Sequence, residues 1–241
     1  MLYIKRQILI VFLIVSSFCM AQKSAVYTSD LQDYQKALTL YNNKQYKAAQ
    51  SLFDDIKYNT DDATIKSDCT YYIANCAVRL NQNNADDLIT EFVEEYPTST
   101  KRNTAFLDVA DYYFENSKYA YARKWYAKVE ERSIARTERE RFNFNYGYSL
   151  YATKSEKQAT KYLNRVVNSQ EYGSQAKYYI GYMAYEGDDY DTANEYFDQV
   201  SDNEKYKEKL SYYQADLNFK LGKFEKAIEL AEEQLPKSSF F

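Results

Sequence analysis

The chain is expected to fold entirely as α-helices, and three observations carry that expectation. Its 241 residues include only 5 Gly and 2 Pro, whereas an all-β domain needs many tight turns rich in turn-forming residues. Apolar residues recur at three- and four-residue spacing, the period of an amphipathic helix. Stretches patterned this way return at a near-constant interval, the mark of a repeat architecture. Apolar residues make up 45% of the sequence, enough for a core and too many for global disorder.

Composition also removes whole classes of chemistry. The chain has no histidine, so Ser-His-Asp and Cys-His nucleophilic sites, His-ligated metals and His general bases are all excluded. Gly181 and Gly187, the one pair of glycines six apart, are not followed by Lys-Ser/Thr, so no P-loop forms. No catalytic residue, metal ligand or cofactor is assigned.

Residues 1–21 read as an export signal. Lys5 and Arg6 precede the apolar run Ile8–Val15, and Cys19-Met20-Ala21 supplies a small-x-Ala ending. The uncharged stretch is too short for a spanning helix of about 20 residues. Phe18 stands where a lipobox has a small residue, which disfavours lipidation of Cys19. The Ala21-Gln22 ending resembles exported proteins of Bacteroidota. Removing Lys5 and Arg6 takes the net charge from −4 to about −6, and so acidic a chain is a poor nucleic-acid binder. A linker is expected over 22–28 and a helical repeat array over 29–241, with Ser29-Asp30-Leu31-Gln32 as the opening capping box. Cys69 and Cys76 lie seven apart on one helix, about 10 Å along its axis. That is too far for a disulfide, so they read as small core residues.

The repeat unit is clearest at Tyr178–Val200. Gly181 is followed by Tyr190, Ala193, Phe197 and Val200, and the same frame fits Ala37, Tyr46, Ala49, Phe53 and Ile56, then Ala110, Tyr119, Ala122, Tyr126 and Val129. Gly147, Ala159 and Val166 fit it in part, as do Ala215, Phe224 and Ala227. The weakest copy is set on Cys76 and Phe92, with Leu88 in the alanine slot and Ala85 in an aromatic one, so irregular packing is expected there. The alanine slot then recurs at intervals of 39, 34, 37, 34 and 34, the first lengthened by a linker over Asn59–Lys66. The small residue of helix A and the alanine of helix B let the pair approach closely. Short turns fall at Asn42-Asn43-Lys44, Glu115-Asn116-Ser117, Glu186-Gly187-Asp188 and Leu221-Gly222-Lys223. Pro97 and Pro236 stop B helices where no internal hydrogen bond is lost.

This pattern resembles the tetratricopeptide repeat (TPR), whose period is 34. The resemblance implies an all-α, TPR-type solenoid of about six helix-turn-helix repeats, probing partners with the A helices on its concave side. The last hairpin lacks a polar outer helix within 29–241, so a longer array, or a partner covering its end, is expected.

The A-helix positions that would face the concave side are Tyr34, Leu38, Tyr41; Ile73, Ala77, Leu80; Leu107, Asp111, Phe114; Phe144, Tyr148, Tyr151; Tyr178, Tyr182, Tyr185; and Tyr212, Asp216, Phe219. Eleven of the eighteen are aromatic, against 17% of the whole chain. Phe144, Tyr148, Tyr151, Tyr178, Tyr182, Tyr185 and Tyr212 are the candidate peptide-binding residues, because tyrosine joins a broad apolar face to a hydroxyl handle. The competing reading is that these rings pack between neighbouring A helices. TPRs that hold C-terminal carboxylates use Lys, Arg or Asn on this stripe; it has none here. Asp188-Asp189-Tyr190-Asp191 lacks the order of a calcium loop and reads as a solvated turn. Asp86, Asp87, Glu91, Glu94 and Glu95 read as a solvated acidic face, and Glu130–Arg141 as a salt-laced linker.

The expected function is a non-enzymatic, exported scaffold binding proteins or peptides, without nucleic acid or cofactor, in the periplasm or on the periplasmic face of the outer membrane. One alternative is a docking part of an outer-membrane machine, since Tyr96-Pro97-Thr98-Ser99 resembles a step in outer-membrane-assembly lipoproteins. Another is a TPR region regulating a catalytic domain beyond residue 241.

Overall fold

The computed structural model describes residues 31–234. The export signal over 1–21, the linker over 22–28, the first two residues of the capping box and the Pro236 stop lie outside them. Six helical hairpins follow one another in the described residues: α1 (31–42) with α2 (Tyr46–Asn59), α3 (Ala63–Arg79) with α4 (Ala85–Glu95), α5 (Arg102–Glu115) with α6 (Tyr119–Tyr126), α7 (Arg139–Ala152) with α8 (Glu156–Leu163), α9 (Gly173–Glu186) with α10 (Tyr190–Asp198), and α11 (Glu204–Lys220) with α12 (Phe224–Gln234). The chain divides into two compact units, Met1–Ala105 and Phe106–Phe241.

One turn design joins all six pairs. The second residue after helix A adopts a left-handed backbone at Lys44, Asn81, Ser117, Lys154, Asp188 and Gly222, with φ between 51° and 73°. The next N–H reaches back to the carbonyl five residues earlier (Gln45 to Leu40, Gln82 to Ala77, Lys118 to Tyr113, Ser155 to Leu150, Asp189 to Ala184, Lys223 to Asn218) at 2.8–3.0 Å. This Schellman closure satisfies carbonyls that the helix end would leave open. Glycine fills the left-handed position only at Gly222; in the Glu186-Gly187-Asp188 turn it is Asp188, while Gly187 keeps φ −90°. A side chain in the left-handed region costs about 1–2 kcal/mol, partly offset by the smaller unfolded-state freedom of a non-glycine residue. Lys154→Gly is therefore expected to stabilise the unit Phe106–Phe241 by about 0.5 kcal/mol, seen as a raised midpoint in urea unfolding; a lowered midpoint would contradict it.

The close-contact slots of the repeat are real. A β-carbon added to Gly147 would lie 2.9 Å from Leu163 Cγ, and one added to Gly181 would lie 2.7 Å from Phe197 Cδ1. Leu163 and Phe197 are fully buried, so neither has room to give. Opposite them, Ala49, Ala122, Ala159 and Ala193 are fully buried, and each N–H closes the first turn of its B helix on the residue four before it.

The second hairpin corrects the sequence frame. In α2, α6, α8 and α10 the buried residues follow the alanine at four and seven, as in Ala49, Phe53, Ile56 and Ala193, Phe197, Val200. In α4 the set with that spacing is Ala85, Ile89 and Phe92, while Leu88 is only half-buried. Ala74, seven before the left-handed Asn81 as Ala37 is before Lys44, takes the small slot in place of Cys76. Four residues, against five in the other hairpins, separate the left-handed Asn81 from the slot alanine here, and Ala85 N–H bonds Gln82 O three residues back. With Ala85 in the slot, the first two intervals become 36 and 37 in place of 39 and 34. The long linker also vanishes: α2 ends at Asn59 and Asp62 already caps α3, accepting from Thr64 N at 2.7 Å and Ile65 N at 3.1 Å. Cys69 and Cys76 are fully buried in the Met1–Ala105 core beside Ala37, Phe53 and Ile73. Burial pushes the Cys76 thiol up to about 12, which suppresses thiolate chemistry.

Candidate partner-binding surface

All seven candidate residues lie in the unit Phe106–Phe241, on α7, α9 and α11. The structure does not present them alike. Phe144 is buried at 6% exposure, its ring stacked on Tyr172 at 4.9 Å, so it packs inside and offers no surface. Tyr212 is 71% exposed. Tyr148, Tyr151, Tyr178, Tyr182 and Tyr185 are half-buried.

Part of the half-burial has a cause that the sequence reading missed. Tyr179 of α9 reaches back onto the α7 stripe, 4.9 Å from both Tyr148 and Tyr151. Tyr213 of α11 does the same to the α9 stripe, 5.5 Å from Tyr182 and 5.2 Å from Tyr185. In the unit Met1–Ala105, Tyr72 of α3 stacks on Phe53 at 4.9 Å and meets Tyr41 edge-on at 5.0 Å. Tyr72, Tyr179 and Tyr213 each stand nine residues before a left-handed turn residue. That shared register was the available signal. These wedges turn the tyrosine stripe into an interlocked belt, in which each ring gains edge or stacking contact beyond its apolar burial.

The belt's hydroxyls are neutral donors. Burial pushes Tyr148, Tyr151, Tyr178 and Tyr182 above the usual tyrosine range, and Tyr185 up to about 12. Tyr185 Oη donates to Asp216 Oδ2, and Lys220 Nζ sits 3.2 Å from the same oxygen. The Tyr185 hydroxyl, with Lys220, holds the Asp216 carboxyl below the usual range. Lys220 Nζ also lies over the rings of Tyr185 at 4.7 Å and Tyr190 at 4.8 Å. Arg79 covers Tyr41 and Tyr46 in the same way, at 5.1 and 5.8 Å. Both cations stand two residues before their own left-handed turn residue.

The tetratricopeptide-repeat family profile matches residues 68–99 and 175–204, covering the second and fifth hairpins. The fold is a tetratricopeptide-repeat solenoid. Solved TPR structures share it. The C-terminal part of a TPR repeat-containing protein from Cytophaga hutchinsonii aligns over 87% of this chain and 83% of its own, with a TM-score of 0.63 and 15% identity. YrrB, a TPR protein with an unusual peptide-binding site, aligns over 77% of this chain and 92% of its own, with a TM-score of 0.54 and 20% identity. MamA AMB-1 aligns over 73% of this chain and 92% of its own, with a TM-score of 0.54 and 15% identity. At these identities the likeness speaks for the fold. No curated protein matches the chain in sequence.

Within the TPR frame, several stripe positions turn out to be structural. The corrected register of the second repeat puts Tyr71, Asn75 and Val78 on the stripe in place of Ile73, Ala77 and Leu80. All three are buried, and Asn75 Nδ2 donates to Tyr71 O at 3.2 Å, so this asparagine is no ligand clamp. Asp111 of the third repeat is buried and accepts from Tyr126 Oη and from Asn145 Nδ2 at 3.2 Å, while Arg141 Nη2 lies 2.9 Å from its other oxygen. It ties α5, α6 and α7 together. Asp189 of the Asp188–Asp191 turn caps α10 by accepting from Thr192 N at 3.2 Å. Asp87, Glu91, Glu94 and Glu95 are exposed and Asp86 half-exposed, as a solvated face requires. Over Glu130–Arg141, Glu131 pairs with Arg165 at 2.8 Å and Glu138 with Arg141 at 3.1 Å.

Proposed function

We propose that the chain is a non-enzymatic TPR scaffold, exported to the cell envelope, that captures a peptide segment of a protein partner along the α7–α9 tyrosine belt. The observation that carries this reading is the belt itself. Tyr148, Tyr151, Tyr182 and Tyr185 are locked at fixed spacing by Tyr179 and Tyr213, yet each keeps part of its ring at the surface. Rings held in place lose little rotamer freedom on binding, which favours recognition by a preorganised surface. YrrB, with its peptide-binding site, supports the reading by likeness of fold. The charged start, apolar run and Ala21 ending of residues 1–21 support export.

The test must separate binding from packing. Alanine at these positions would remove interlocking rings, so Tyr151→Phe combined with Tyr182→Phe is the better probe. It keeps both rings and deletes both hydroxyls. At about 1 kcal/mol per hydrogen bond, capture of the partner identified by crosslinking in the native cell is expected to weaken at least tenfold, with thermal unfolding nearly unchanged. Equal capture by the double variant would remove the belt from the mechanism.

A further inference from the structure

The end face of the last hairpin repeats a surface that is covered elsewhere in the chain. Three positions of the first and fifth hairpins meet the next A helix: those ten and three residues before the left-handed turn residue, and that two after it. In the first hairpin they are Tyr34, Tyr41 and Tyr46, and α3 covers them with the ring of Tyr72 and the guanidinium of Arg79. In the fifth they are Tyr178, Tyr185 and Tyr190. There α11 covers them with Tyr206 at 4.7 Å, Tyr213 at 5.2 Å and Lys220 at 4.7 and 4.8 Å. All six covered rings are half-buried. In the last hairpin the same positions hold Tyr212, Phe219 and Phe224, exposed by 71, 62 and 56%, and Ile228 beside them is 59% exposed. Phe219 and Phe224 rest edge-on at 5.5 Å, and no described residue covers them.

We infer that this face docks a basic amphipathic helix from a partner protein, separate from the α7–α9 belt. The first and fifth hairpins, whose three positions are likewise all aromatic, state its chemistry. The covering helix carries an aromatic ring and, seven residues later, a cation, as Tyr72 and Arg79 do on α3 and Tyr213 and Lys220 do on α11. Seven residues bring both to one face of a helix. Charge complementarity selects the partner. Glu225, Glu229 and Glu232 form an exposed stripe on α12 beside Phe224 and Ile228. A second copy fits poorly. Its first hairpin offers the exposed Gln35 and Asn42 at the ring and cation positions, and its own end face would set glutamate stripe against glutamate stripe.

The probe is a synthetic peptide of residues 204–220, the helix that already covers the matching face of the fifth hairpin, titrated onto the full chain by fluorescence anisotropy. Saturable one-to-one binding in about the micromolar range is expected, after the peptide has met the cost of ordering. Tyr213→Ala or Lys220→Ala in the peptide should each weaken it about fivefold to tenfold. Ile228→Glu in the protein, an exposed change that leaves helicity unaltered, should weaken it more than tenfold. The Tyr151→Phe, Tyr182→Phe protein should bind the peptide unchanged, so failure here leaves the belt reading intact. Absence of saturable binding, equal binding of the Tyr213→Ala peptide, or equal binding to Ile228→Glu protein would overturn the proposal. A dimer in sedimentation that Ile228→Glu disperses would assign the face to a second copy and overturn it too.

Discussion

Asp111→Ala is expected to destabilise the unit Phe106–Phe241 by about 2–4 kcal/mol in chemical denaturation. Asp111 is 8% exposed and serves three donors, Tyr126 Oη, Asn145 Nδ2 and Arg141 Nη2. Truncation leaves the hydroxyl of Tyr126, itself 1% exposed, and the amide of buried Asn145 without this acceptor. Each such loss costs about 1–3 kcal/mol. Arg141 adds less, because 42% of its side chain remains open to water. Asp111→Asn should cost less than alanine, since an amide oxygen can still accept from Tyr126. A loss under about 1 kcal/mol for the alanine variant would show that Asp111 does not tie these three helices together.

Alkaline pH should unfold the protein cooperatively. Burial first, and then the charge of Asp111, pushes the Tyr126 hydroxyl far above the tyrosine range. Burial raises Tyr34, Tyr179 and Tyr182 in the same direction, and brings Tyr162, Tyr172 and Tyr185 up to about 12. In the unfolded chain each titrates near 10. Below that pH both states hold the proton and stability does not change on this account. Above it the unfolded state releases protons that the folded state keeps, so stability falls as pH rises. The slope for Tyr126 alone is about 1.4 kcal/mol per pH unit. The buried tyrosines should therefore ionise together with the loss of helical circular dichroism between about pH 10 and 12. Ionisation of the buried tyrosines with helicity intact would contradict that burial. Tyr126→Phe should flatten the pH slope by one proton.

The hairpins were legible because they rest on local spacing. Gly181 and Phe197, or Gly147 and Leu163, are close enough in sequence for one hairpin to bring them together, and the contacts at 2.7 and 2.9 Å match that reading. The second hairpin was misread because Cys76 and Leu88 mimic the slots that Ala74 and Ala85 fill. A slot alanine one residue nearer the left-handed Asn81 shifts the frame, and composition does not reveal it. The candidate belt was legible as a stripe, since positions four and seven apart share a helix face. Its covering was not. Tyr72, Tyr179 and Tyr213 lie on the next A helix, and helical periodicity within one hairpin carries no information about what arrives from the following one.

The sequence by itself determined that the chain is a series of helical hairpins, where most of them turn, and which small residues let each pair close. These follow from propensity, 3.6-residue periodicity and contacts within one repeat. Only the tertiary structure decided that Phe144 is interior, that Asp111 is a buried tie, that five tyrosines are held half-covered, and that no described residue covers the Tyr212–Phe219–Phe224 face. Burial of a side chain depends on its neighbours across a repeat of 34–37 residues, and that distance lies beyond what spacing along one helix can specify.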